Sequence, residues 1–180
     1  MKKVTNEKVI NEIEYAEKIG SGIREISESL NKNNNLDMYL KTLIKKIGGE
    51  IVYQNDKNSD VKYDVGLTIT KDGFKIRPNA FDSPIHDNFY ITKALGDYIL
   101  FKNDKNTRNF YASHRTDETN SLSNAFAYGF LTPKKEFLKK SKEYKNNITL
   151  LAAYFQIPTD FIKIRQQNLK LITIEKEKTR

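Results

Sequence analysis

Two histidines, His86 and His114, are the side chains best suited to hold a metal or move a proton near neutral pH. Neither has a second histidine one helical turn away, the spacing that lets two imidazoles face one ion. His86 and Asp97 are eleven residues apart, about 16 Å along a helix rising ~1.5 Å per residue, too far to share a metal. His114 and Glu118 are four apart and would face one ion if their segment were helical; a lone histidine is more readily structural or solvated. Asp117 and Glu118 are neighbours, so on a helix they diverge, and carboxylates there suit a helix start. With no cysteine the chain has no thiol nucleophile, no thiolate metal site and no disulfide. Its glycines are scattered and form no phosphate-cradling loop. From the residues alone, no strong catalytic constellation emerges.

The elements that must carry these side chains are mostly helical. Ile10, Ile13, Ala16, Ile19, Ile23, Ile26 and Leu30 recur at three or four residues between Asn6 and Leu30, an amphipathic stripe. Asn33, Asn34 and Asn35 interrupt it. A second helix carries Leu36, Leu40, Leu43, Ile44 and Ile47 and ends at Gly48 and Gly49, so the pair predicts a helical hairpin. Glu50 to Gln54 is a strand candidate; after a polar loop from Asn55 to Asp60, Val65 to Thr70 and Phe74 to Arg77 pair through a tight turn at Asp72 and Gly73. Pro84 opens a helix from about Ile85 to Phe101, and another runs from about Glu118 to Leu131. Thr132 and Pro133 suit the N-cap and first turn of a basic helix reaching Tyr144. Ile148 to Phe155 and Thr159 to Leu169 form a last helix pair around Gln156, Ile157 and Pro158, spaced like a helix-turn-helix. Ile157, Phe161, Ile164 and Leu169 look committed to a core, which favours packing over recognition.

The chain has 180 residues and 20.9 kDa, the size of one domain, and neither repeats nor a boundary divide it. Hydrophobic residues at 38%, aromatics at 11% and charged residues at 30% exclude disordered, collagen-like and disulfide-framework classes. The longest apolar run, Ile148 to Phe155, falls short of the ~18 to 20 residues of a membrane span. Lys2 and Lys3 are followed by Glu7, Asn11 and Glu12 rather than by the apolar segment of an export signal, so we expect a cytoplasmic protein. The net charge is +8 and the pI near 9.4. Twelve basic and five acidic residues lie from Lys134 to Arg180, which leaves about +1 for the rest. Such an excess suits a nucleic-acid partner; abundant Lys, Asn and Ile is equally what an AT-rich genome produces.

The order of three segments adds a resemblance. Asn88 to Lys102, NFYITKALGDYILFK, resembles the active-site helix of the ImmA/IrrE family of zinc metallopeptidases, in which a phenylalanine-led stretch runs into HELGH. Phe89, Ile91, Leu95, Gly96, Tyr98 and Leu100 keep their places. Asn120 to Pro133, NSLSNAFAYGFLTP, is similar to the family's glutamate, small residue, asparagine and FA pattern, through Asn124, Phe126, Ala127, Leu131 and Pro133. Leu151 to Leu169, LAAYFQIPTDFIKIRQQNL, resembles its closing helical pair. The resemblance spans about Leu36 to Leu171. It implies an α+β, zincin-like metallopeptidase fold: an N-terminal helical hairpin, a small central sheet with a hairpin, and a helical C-terminal half. The whole of 1–180 is then one domain, with an N-terminal helix in 1–35 and a charged tail at 172–180.

Where the sequence departs from the family, the chemistry changes. The resemblance puts the two metal-binding histidines on Lys93 and Asp97, the general base on Ala94 and the downstream glutamate ligand on Asn120. A lysine ammonium has no lone pair for zinc, and alanine accepts no proton. No metal, no cofactor and no catalytic residue is therefore expected. Lys93 and Asp97 stand one turn apart, so an ammonium sits near where the cation's charge would have been. Active members commonly accompany helix-turn-helix repressors of mobile elements, which they cleave. The expectation is an inactive relative that binds such a repressor through a groove lined by His86, Asp87, Lys93, Asp97 and Asn120. The alternative is a nucleic-acid-binding module in which Lys135, Lys139, Lys142, Lys163 and Arg165 meet phosphates.

Overall fold

The computed structural model describes residues 6–30, 34–53, 66–78, 84–101 and 117–171; the side chains of 6–9, Pro84, His86 and 117–121 lie outside that description. His114, the loop from Asn55 to Asp60, the strand-end residues Gln54 and Val65 and the tail at 172–180 are outside it as well. Helix α1 (Asn6–Ser27) runs into a 3-10 turn (Glu28–Leu30) and is followed by α2 (Leu36–Lys46). Strands β1 (Gly49–Ile51), β2 (Gly66–Ile69) and β3 (Phe74–Arg77) precede α3 (Pro84–Phe101), α4 (Asp117–Leu131), α5 (Lys134–Glu143), α6 (Ile148–Phe155) and α7 (Thr159–Asn168). This is an α+β arrangement, as expected. Among the described residues no helix is long and apolar enough to cross a membrane.

The sheet is small and ordered β1-β3-β2, with β1 parallel and β2 antiparallel to β3. Period-two alternation buries Phe74 and Ile76 of β3 on one face, and Leu67 stands opposite Ile76. That face meets α3, where the Phe74 and Tyr98 rings stack at 3.9 Å between centroids. The connection from β2 to β3 differs from the expected two-residue turn. It takes the four residues Thr70 to Gly73, closed by the Thr70 N–H donating to the Gly73 carbonyl at 2.8 Å.

The expected helical hairpin is corrected. α1 and α2 meet near their junction, where the Ser27 and Tyr39 hydroxyls are 2.5 Å apart and Arg24 lies over the Tyr39 ring. The length of α1 packs along α4 instead, the most extensive pairing of elements among the described residues. Glycines permit it: a Cβ at Gly20 would run into the Phe126 carbonyl, and one at Gly129 into the Glu17 carbonyl. Consequently Ala16 is buried, whereas Ile10 and Ile26 of the same stripe are exposed. A periodic stripe names a helix face but not its partner, and this partner is 108 residues away, with the Ser21 hydroxyl donating to the Gly129 carbonyl.

One cap assignment also changes. Thr132 does not cap α5; its hydroxyl donates back to the Tyr128 carbonyl at 2.8 Å, closing α4, and Pro133 takes the N-cap position without a side-chain bond. α2 is capped twice, by Asn35, which accepts from the Met38 N–H at 3.0 Å, and by Gln156, which accepts from the Leu36 N–H at 3.1 Å. Gln156 lies in the α6–α7 turn in a left-handed conformation, and its amide nitrogen donates to the Asn34 carbonyl at 2.8 Å. This helix pair therefore packs on the body of the protein. Ile157 and Ile162 enter the core, but Ile164, expected there, is exposed.

Candidate functional site

The middle of α3 is held from three sides. Phe89 stacks on Phe161 of α7 at 3.7 Å between centroids and tilts against Tyr128 of α4 at 5.3 Å. Tyr98 stacks on β3, and Leu95 is buried in the common core. Close contact of Gly96 with the Phe126 ring lets α4 lie directly against α3. Anchored in this way, the helix has little freedom to rotate, so each position has a defined neighbour.

Lys93 is half-buried, Ala94 is buried, and Asp97, one turn beyond Lys93, is only 4% exposed. The Ser123 hydroxyl of α4, itself fully buried, donates to Oδ1 of Asp97. A buried carboxylate needs such donors, because an unpaired one is several kcal/mol out of balance. Asn120 precedes Ser123 by three residues on α4 and thus belongs by its backbone to the face that meets Asp97. Its side chain lies outside the described residues, as do those of His86 and Glu118. Asp87 is buried in the first turn of α3. The structure thus puts Lys93, Asp97 and the backbone of Asn120 on facing helices.

Ser123 is the residue that sequence reasoning missed. It occupies the small-residue position of the α4 pattern, and the signal for it was there: a hydroxyl one turn from Asn120 on the face turned to α3. Among the described residues no cluster of metal-ligating side chains forms here: Lys93 offers no lone pair, Ala94 presents a methyl group, and Asp97 accepts from Ser123.

The basic C-terminal helices divide differently from expectation. Lys135, Lys139 and Lys142 are exposed on α5. Lys163 is exposed and pairs with Asp160 on its own helix at 3.5 Å. Arg165, counted among the nucleic-acid contacts, is instead 2% exposed and donates to Glu17 of α1 and to the Thr132 carbonyl. It also lies over the rings of Tyr128 and Phe137. Charge alone could not tell it from a surface arginine; burial makes it part of the core.

A family model described as the IrrE N-terminal-like domain, Peptidase_M78, matches residues 45–166. No curated protein matches the chain. Among solved structures, one described as a Mycobacterium tuberculosis transcriptional regulator superposes with a TM-score of 0.60 at 19% identity, over 88% of this chain and 48% of that one. The present chain therefore spans about half the length of that structure, and the likeness is one of fold.

Proposed function

Because the chain belongs to the IrrE N-terminal-like domain family, we propose that it is a member that has given up zinc catalysis and works by binding a protein. The observation that carries this reading is the Asp97–Ser123 hydrogen bond at the position where the family would have its second histidine. With Lys93 one turn before it and Ala94 in place of the base, the described residues of the α3–α4 seam offer neither the imidazole pair nor the proton acceptor that peptide hydrolysis at zinc requires. The partner is a helix-turn-helix repressor or another regulator of a phage or mobile element, met in the cytoplasm. The surface proposed to receive it is the α3–α4 seam, with half-buried Lys93 as its described polar contact, buried Asp87 and Asp97 shaping it from beneath, and the backbone positions of His86 and Asn120 on the same two helices. A regulatory role agrees with the description of the Mycobacterium tuberculosis neighbour.

The test is metal analysis of the purified chain together with co-expression with helix-turn-helix repressors encoded in the same genome. The expected result is no stoichiometric zinc and a full-length repressor that co-purifies with the chain. About one tightly bound zinc per chain, or a repressor cut only when the chain is present, overturns the reading.

A further inference from the structure

Charge on α5 is sorted by face. Phe137 is fully buried and marks the inward side. Lys135, Lys139 and Lys142, spaced by four and then three residues, form a stripe about 10 Å long on the opposite side, at ~1.5 Å rise per residue. Both carboxylates of the helix are engaged elsewhere. Glu143 pairs with Lys140 at 2.8 Å, and Glu136 accepts from the Tyr154 hydroxyl at 2.8 Å, with Lys140 over the Tyr154 ring. Lys135, Lys139 and Lys142 enter no ion pair among the described residues.

This pattern works against the helix that carries it. Like charges at i,i+4 and i,i+3 repel. Lys134 and Lys135 occupy the first turn of α5, where the helix dipole disfavours cations, whereas Lys142 lies in the last turn, where the dipole favours one. A row of exposed ammonium groups held against local repulsion is relieved by an anionic partner.

We propose that the stripe of Lys135, Lys139 and Lys142 is a docking surface for the phosphate backbone of duplex nucleic acid. Lysine acts on phosphate as a point charge and brings no bidentate fork for base edges, so the binding is sequence-independent. The stripe holds no aromatic side chain on which single-stranded bases would stack, which favours duplex. An acidic protein surface is the lesser fit, because lysine is depleted from protein interfaces. This activity is separate from the α3–α4 groove.

The experiment uses the full chain and a fluorescent 30-base-pair duplex of arbitrary sequence, titrated by anisotropy at several salt concentrations. Replacing all three residues (Lys135→Gln, Lys139→Gln and Lys142→Gln) should weaken binding at low salt at least tenfold. It should also reduce the slope of log affinity against log salt by about 2 to 3, since each phosphate neutralised contributes ~0.9. A control with the same charge change at exposed Lys18, Lys45 and Lys46 should lose less than threefold, and arginine at the three stripe positions should keep the slope. Equal losses in stripe and control variants, or no duplex binding at low salt, overturn the proposal. Tighter stripe-dependent binding of polyglutamate than of duplex also overturns it, in favour of an acidic protein.

Discussion

Arg165 of α7 donates from Nη2 to the Glu17 carboxylate of α1 at 2.6 Å, joining residues 148 positions apart. The same nitrogen donates to the Thr132 carbonyl at 3.0 Å, so one guanidinium ties α1, the end of α4 and α7 together. The arginine side chain is 2% exposed and that of Glu17 24%. Removing the two partners should therefore have unequal consequences. Glu17→Ala strands a buried cation and should cost about 2–4 kcal/mol. Arg165→Met should cost less, since water reaches the carboxylate left behind. The urea midpoints of the two variants check the order, and the reverse order would show that the pair is not held together by burial of the cation.

Ser123 supplies a hydroxyl to a carboxylate that is itself buried. Ser123→Ala should destabilise the protein by about 1–3 kcal/mol, the cost of withdrawing a donor from a buried acceptor. Adding Asp97→Ala should not deepen the loss by its full separate effect, because the charge that needed the donor is gone. A double-mutant cycle in chemical denaturation measures the coupling, and strict additivity would contradict it.

Restoring ligands tests the assignment of the seam. Lys93→His, Asp97→His and Asn120→Glu together should create zinc binding that no single change creates, because a metal site needs its ligands simultaneously. Ala94→Glu then supplies a base, and hydrolysis depends further on whether the groove still accepts a cleavable segment. Calorimetric titration with zinc reads the outcome, and failure of the folded triple variant to bind would remove Asn120 from the facing position.

Alkaline stability should be governed in part by Tyr128. Burial pushes its phenol up to about 12, an effect that Arg165 only partly offsets. The folded state therefore holds the proton when the unfolded chain has released it. The resulting stabilisation is complete below pH 10 and declines as pH rises from about 10 to 12, by up to ~1.4 kcal/mol per pH unit for this group. Tyr128→Phe should flatten that part of the pH profile of unfolding.

Much of the fold is set by local pattern. Apolar spacing in α1 to α4, the asparagine before α2, Pro84 at the start of α3 and the break at Gln156–Pro158 each name an element within a few residues, because each acts over one turn of chain. The residue types at 93, 94, 97 and 120 acquire their meaning through the family resemblance, which carries the expectation of lost zinc chemistry. Tertiary structure decided the partners. α1 lies along α4 rather than α2 because Gly20 and Gly129 let the two backbones approach, and no local rule couples glycines so far apart. Arg165 and Lys163 are alike in a charge count, yet packing buries one and leaves the other at the surface. Ser123 acquires its role only when α4 is laid on α3, because a hydroxyl is defined by the acceptor it meets, and that acceptor is 26 residues away.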